Sequence, residues 1–256
     1  MTLLLPSLGE RDKRGFAAVT RAGFLAARRN MRWRAENGSV GAFLFDVDGV
    51  IADTARLHTA AWRRLAEEEG IRFDDEVADA LRGLPRPDSL RRLLGGRPVS
   101  DAGFSEMMQR KNRYYLALLE NLGARDVLPG VRPLLHGLSK RGLRLAAVSL
   151  SRNARVVLDR VGVALLFDVV FDGNERRLAA SSVNRYQQAA NALRVLPGRC
   201  AVLEDAAAGI AAARSAGMRS VGIGPRERLR GATFVLESLR GVDAGILLQR
   251  LDGTGA

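Results

Sequence analysis

The feature that constrains this chain most is a short apolar run that stops on a pair of acids, Ala42-Phe-Leu-Phe45 followed by Asp46-Val-Asp-Gly49. A brief, continuously apolar stretch closed by turn-forming residues reads as a strand buried on both faces. Four similar runs follow, over residues 143–148, 167–171, 200–203 and 220–223, with helical periodicity between them. Buried strands that alternate with helices pair in parallel, and the crossover helices cover both faces of the sheet. The expected fold is α/β, a doubly wound parallel sheet.

The interval between the first strand and a helix beginning near Pro129 carries no strand pattern. Helical stretches over 54–69, 75–81, 87–94 and 100–121 fill it. An all-helical insertion after a strand's carboxyl end lies above the crevice where open α/β sheets bind ligands, so it is placed to act as a lid. The organisation expected is an α/β core over 41–53 and 128–256, a helical cap over 54–127, and a basic extension over 1–40 that is poorly ordered. Within that extension, residues 16–33 have the spacing of a basic amphipathic helix.

Composition removes several classes. A chain of 256 residues that is 47% hydrophobic and 27% charged suits a globular core, and no apolar run approaches the roughly 18 residues of a membrane span. The one cysteine, Cys200, excludes an internal disulfide, and a reducing cytoplasmic setting is expected. A formal charge of +12 invites a nucleic-acid reading. Against it, only Lys13, Lys111 and Lys140 are lysines, and the arginines are spread along the chain with no dense block beyond the first forty residues. A composition bias explains that pattern better than a nucleic-acid surface does, so no nucleic-acid or membrane partner is expected.

Asp46 and Asp48 are the first candidates for chemistry, since two carboxylates at a strand's end can divide nucleophilic and acid/base work. Gly49 lets the backbone turn sharply after them. Ser149 closes the second strand and Glu204-Asp205 the fourth, so three strand ends of one parallel sheet present polar groups to one crevice. Glu204-Asp205 also stands where an N-cap for a helix over 206–216 would be.

This set resembles the haloacid dehalogenase superfamily of phosphotransferases over about residues 41–250. Within it the chain is similar to the β-phosphoglucomutase family. His58 and Trp62 follow Asp46 by 12 and 16 residues, and Gly83-Leu-Pro-Arg-Pro-Asp-Ser-Leu90 resembles that family's phosphate-reading cap loop. Lys111-Asn112, Val127-Leu-Pro-Gly130 and Ser149-Leu-Ser-Arg-Asn153 match as well. The resemblance implies Mg2+ held by Asp46, the Asp48 carbonyl, Glu204 and Asp205. It makes Asp46 the nucleophile that forms an aspartyl-phosphate, Asp48 the acid and base, and Ser149 a donor to the transferring group. Thr54, His58, Trp62, Arg86, Lys111, Ser151 and Asn153 become substrate-binding residues. The reaction implied is β-glucose 1-phosphate to glucose 6-phosphate in a monomeric enzyme. A sugar-phosphate phosphatase and a weakly active or inactive phosphosugar-binding protein are the alternatives.

One part of the family pattern is missing. A lysine normally follows the third strand, and this chain has none after Lys140. Arg176, Arg177 or Arg185 remain as sources of that charge, although a planar guanidinium is no simple replacement for a compact ammonium. With a helix starting near Ser181-Ser182, the loop pair Arg176 and Arg177 is expected over Arg185.

Overall fold

Along the first strand, β1 (Ala42–Phe45), successive side chains enter two different cores, as the two-residue period of a strand requires. Phe43 and Phe45 face one core, while Ala42 and Leu44 face the other. The same division holds in β2 (Arg144–Val148), with Leu145 and Ala147 against Ala146 and Val148. A sheet buried on both faces needs helices on both, and the computed structural model of the protein, described over residues 39–174 and 184–253, supplies them. On one face lie α5 (Val131–Lys140), α6 (Ala154–Arg160) and α9 (Ala244–Asp252). On the other lie α7 (Arg185–Leu193) and α8 (Ala207–Ser215).

The sheet is completed by β3 (Val169–Phe171), β4 (Cys200–Glu204), β5 (Arg219–Ile223) and β6 (Phe234–Leu236), in the order β3-β2-β1-β4-β5-β6. All neighbouring pairs are parallel. The chain begins in the middle, winds outward to β3, then crosses back to β4 and winds the other way. The direction reverses between β1 and β4, and at such a point the loops on either side diverge and leave a crevice. Phe45 is in register with Ala147 and Leu203, so the strand ends that carry Asp46, Ser149 and Glu204 lie side by side.

The helical insertion rises from this edge as α1 (Ala55–Glu68), α2 (Asp75–Leu81), α3 (Arg86–Leu94) and α4 (Asp101–Leu119). It has its own small core of Trp62, Leu65, Ala66, Leu81, Leu90, Leu93 and Met107. Asp74 caps α2 by accepting from the Val77 amide (3.0 Å), and Ser100 caps α4 from Gly103 (3.2 Å). The two connecting segments run together. Leu128 N bonds Ile51 O (3.0 Å) and Asp53 N bonds Asp126 O (3.1 Å), so the cap leaves and rejoins the core through one paired stalk. Among the described residues no helix is long and apolar enough to cross a membrane.

Three expectations need correcting. The sheet has a sixth strand, β6, whose apolar run Phe234-Val-Leu236 is only three residues long and half-buried. The helix expected near Ser181-Ser182 begins at Arg185, where Asn184 caps it by accepting from the Tyr186 amide (2.9 Å); Ser181, Ser182, Arg176 and Arg177 lie outside the described residues, as do residues 1–38. The residue at the N-cap of α8 is Ala206, whose methyl side chain cannot cap, and the Glu204 carboxylate instead accepts from the amides of Asp205 and Ala206 (3.2 Å each) in the turn before it.

Gly130 starts α5 with φ +89°, and a Cβ there would run into the Leu239 backbone. Both the left-handed conformation and the contact reject a side chain. Gly130→Ala is expected to lower stability by about 2 kcal/mol or more, read as a reduced urea midpoint with an unchanged m value.

Candidate active site

After β1 the chain folds back over itself. Gly49 N bonds Ala52 O (2.9 Å), and the amides of Ile51 and Ala52 both bond Val47 O (3.1 Å each). Gly49 holds φ +87°, and a Cβ at that position would stand in the Asp205 carboxylate. The turn therefore requires glycine twice over, for conformation and for room. Its effect is to aim the Asp48 side chain back into the crevice, toward Thr54 and the foot of the cap.

Asp48 is surrounded by donors. Thr54 Oγ1 donates to its Oδ1 (2.6 Å), the Tyr115 hydroxyl lies 3.5 Å from the same oxygen, and Ser149 Oγ donates to Oδ2 (3.2 Å). His58 Nε2 stands 3.4 Å from Oδ1. Burial pushes the Asp48 carboxyl up, but His58, Thr54 and Ser149 outweigh it and hold the group down to about 2. Asp48 is an ionised acceptor in this arrangement.

Asp46 is in the opposite condition. Burial, then the neighbouring charges of Glu204, Asp48 and Asp205, raise its carboxyl well above the ordinary value, with Arg185 opposing. Asp205 is likewise pushed up to about 7 by burial and by Glu204, against the pull of Arg82. One oxygen each from Asp46, Glu204 and Asp205 lie within 4.8 Å of one another. Converging, desolvated carboxylates of this kind form a donor set for a hard divalent cation such as Mg2+. The room for them is built in, since a Cβ on Gly209 would overlap the Glu204 carboxylate just as one on Gly49 would overlap Asp205.

The core meets this acidity with Arg185. Its guanidinium, 12% exposed, puts Nη2 3.4 Å from Glu204 Oε2, the oxygen that also accepts from the buried Tyr186 hydroxyl. Burial alone would weaken the protonated guanidinium, but Tyr186, Glu204 and Asp46 together raise its proton affinity. So of the three arginines considered for the missing charge, Arg185, set behind the loop pair in the sequence, is the one that the described residues include, and it stands at the acids.

A cavity of about 400 Å³ extends from these groups up into the cap. Asp46, Asp48, Ser149, Glu204 and Asp205 line its floor, while His58, Trp62, Arg86, Lys111 and Ser151 line its walls. Trp62, Phe73, Leu81, Leu84 and Met108 make one side apolar. Two expected substrate residues are turned elsewhere. Thr54 is fully buried and spends its hydroxyl on Asp48, so it positions that carboxylate and does not reach the cavity. Asn153 Nδ2 donates to Asn112 Oδ1 (2.9 Å), which also accepts from Arg86 Nη2 (2.8 Å).

Spacing did not reveal four residues that the structure brings in. Arg152 lines the cavity near Arg86, whose guanidinium is weakened by burial and then by that like charge. Arg82 reaches from the cap to Asp205 (Nη1 to Oδ2, 2.9 Å). Tyr115 stacks on His58 with ring centres 3.9 Å apart, and Tyr186 serves Glu204. Both arginines are hidden among many, and both tyrosines sit at positions that read as the apolar face of a helix.

The haloacid dehalogenase-like hydrolase family matches residues 40–217. The chain is similar to the β-phosphoglucomutase of Bacillus subtilis, 38% identical over 199 residues that cover 76% of this chain and 88% of that one. It is similar also to the phosphorylated carbohydrates phosphatase of Thermotoga maritima, at 31% identity over 70% of this chain and 83% of the relative. In structure it matches the crystal structure of β-phosphoglucomutase from Clostridium difficile with a TM-score of 0.78 and 34% identity, covering 84% of this chain and 98% of the other. The carboxylates at the switch point and the cap above them are thus set in a chain that belongs to the haloacid dehalogenase-like hydrolase family.

Proposed function

We propose that this protein transfers phosphoryl groups on a sugar phosphate through an aspartyl-phosphate on Asp46, as a Mg2+-dependent β-phosphoglucomutase. The observation that carries this reading is that one cavity joins two places suited to a phosphate. At the floor stand Asp46, Ser149 and Arg185; at the far wall stand Arg86, Arg152, Lys111 and Ser151. A mutase handles a bisphosphate, so it needs both. The similarity to a carbohydrate phosphatase keeps water as a competing acceptor at the same floor.

Each residue's part follows from its surroundings. Asp46 attacks phosphorus in line, and the bond to the leaving sugar oxygen breaks as the aspartyl-phosphate forms, with protonated Asp48 giving that oxygen its proton and becoming the carboxylate. Ser149, beside it at the end of β2, has a hydroxyl that can turn from Asp48 to the transferring group. Asp48 takes the proton from the sugar hydroxyl that attacks next. Its donors come from both domains, Ser149 from the core and His58 and Tyr115 from the cap, so lifting the cap removes two of them and readies the carboxyl to hold a proton. Arg185 supplies positive charge on the side where the family's lysine is missing. A Mg2+ bound by Asp46, the Asp48 carbonyl, Glu204 and Asp205 would neutralise the repulsion between the nucleophile and the phosphoryl oxygens.

Lys111 is the unusual wall residue. It is 2% exposed, its Nζ lies 2.8 Å from His58 Nδ1, and it stands over the rings of Trp62 (4.9 Å) and Tyr115 (5.0 Å). Burial, and then Arg86, push its ammonium down to about 7 from an ordinary value of 10.5. A buried cation of this kind is costly until an anion arrives, which is the expected state of a phosphate-binding lysine in a site without ligand.

Three outcomes test the reading. In a coupled assay with Mg2+ and a trace of glucose 1,6-bisphosphate, β-glucose 1-phosphate is expected to yield glucose 6-phosphate faster than free phosphate. Asp46→Asn should reduce both to background, and phosphate release in excess of isomerisation would assign the chain to the phosphatases. Arg185→Ala should lower kcat by about a hundredfold, with Arg185→Lys retaining part of the loss; equal rates in all three proteins would remove Arg185 from the chemistry. For Lys111, the unfolded chain binds the extra proton between pH 7 and 10.5 and the folded chain does not, so stability rises with pH across that window. Lys111→Met is therefore expected to raise the urea midpoint most below pH 7 and to lose that advantage toward pH 10.5, while raising KM for the sugar phosphate.

A further inference from the structure

Arg82 belongs to the cap, yet its closest charged partner belongs to the core. It follows the last residue of α2, and its Nη1 reaches Asp205 Oδ2 at 2.9 Å. The approach is enforced by the backbone. The next residue, Gly83, lies so close to the β4–α8 loop that a Cβ on it would stand 2.8 Å from the Ala206 Cβ. With the cap in this position, a guanidinium is delivered to the rim of the carboxylate cluster formed by Asp46, Glu204 and Asp205.

The pairing is incomplete on the arginine's side. Arg82 Nε is buried without a hydrogen-bond partner, and it lies 3.7 Å from Asp79 Oδ1 on the same helix. Asp79 in turn is held from the core by Arg228 Nη1 at 3.3 Å. The four side chains alternate in sign, core to cap to cap to core, and Arg82 stands between two acids with a full contact to one and a near contact to the other.

We propose that Arg82 is a cap-borne counter-ion for Asp205 that competes with the divalent cation for that carboxylate, so that seating the cap and loading the metal oppose each other there. The inference rests on the reading of the acid cluster as a divalent-cation site. A dication drawn to Asp205 repels a guanidinium on the same group, and Asp79 gives the displaced guanidinium an acceptor on its own helix. By linkage, whatever the metal does to the Arg82 contact, the contact does equally to the affinity for the metal. Metal exchange is then easiest with the cap raised, and the metal-free site keeps its charge balanced by borrowing a cation from the cap.

The test is Mn2+ binding to the full chain without any sugar phosphate, read as loss of the free-ion signal in electron paramagnetic resonance, alongside the thermal midpoint of the metal-free protein. Arg82→Gln is expected to bind Mn2+ at least about fivefold more tightly and to melt lower without metal, since Asp205 has lost its partner. Arg82→Lys keeps the charge and should stay near the parent in both. Asp79→Ala removes the alternative acceptor and should weaken Mn2+ binding. Equal or weaker binding by Arg82→Gln overturns the competition and makes Arg82 an ordinary structural contact. No Mn2+ binding by the parent chain overturns the metal reading itself, and the inference falls with it.

Discussion

Asp46, Asp48, Glu204 and Asp205 share one edge of the sheet because β1 and β4 are neighbours in parallel register. Two like charges about 5 Å apart at an effective dielectric of about 20 repel by on the order of 3 kcal/mol, so a cluster of this kind shapes everything built around it. Thr54 and Ser149 bond Asp48, two backbone amides and Tyr186 bond Glu204, and guanidinium groups approach from two sides. Arg185 comes from a helix on one face of the sheet and Arg82 from the insertion above the strand ends. The insertion is therefore more than a cover over the crevice. It contributes part of the positive charge that allows the acids to stay together.

The strands were legible where burial on both faces leaves an unbroken apolar run, as in Ala42–Phe45 and Cys200–Glu204. They were not where a strand is short and half exposed, as in Phe234–Leu236. The helices of the insertion were readable to within two residues because their apolar positions recur at helical spacing. In the site, the acids could be read because each ends an apolar run. Among the cations, Arg86 and Lys111 were read from motifs of the insertion and Arg185 was named only behind the loop pair. In a chain this rich in arginine, Arg82 and Arg152 have no local context that separates them from surface residues. Thr54 and Asn153 show a further limit: spacing brings both near the crevice, but which way a hydroxyl or an amide points is decided by the partner it finds, here Asp48 and Asn112.

The cap and core also meet away from the acids, and there the contact is neutral. Asn112, on α4, offers one amide oxygen, and that oxygen is shared by Arg86 of the cap and Asn153 of the core. Of the two donors, Arg86 lines the cavity while Asn153 stands behind it, and the shared oxygen holds both in place. The amide works as a placeholder, satisfying two donors with an acceptor weak enough to yield to an ionised oxygen. Entry of a ligand thus exchanges hydrogen-bond partners with little creation of new order, and most of the entropy cost of holding a cap arginine and a core asparagine in one geometry is met during folding. The exchange leaves Arg86 at a position set before any ligand enters the cavity.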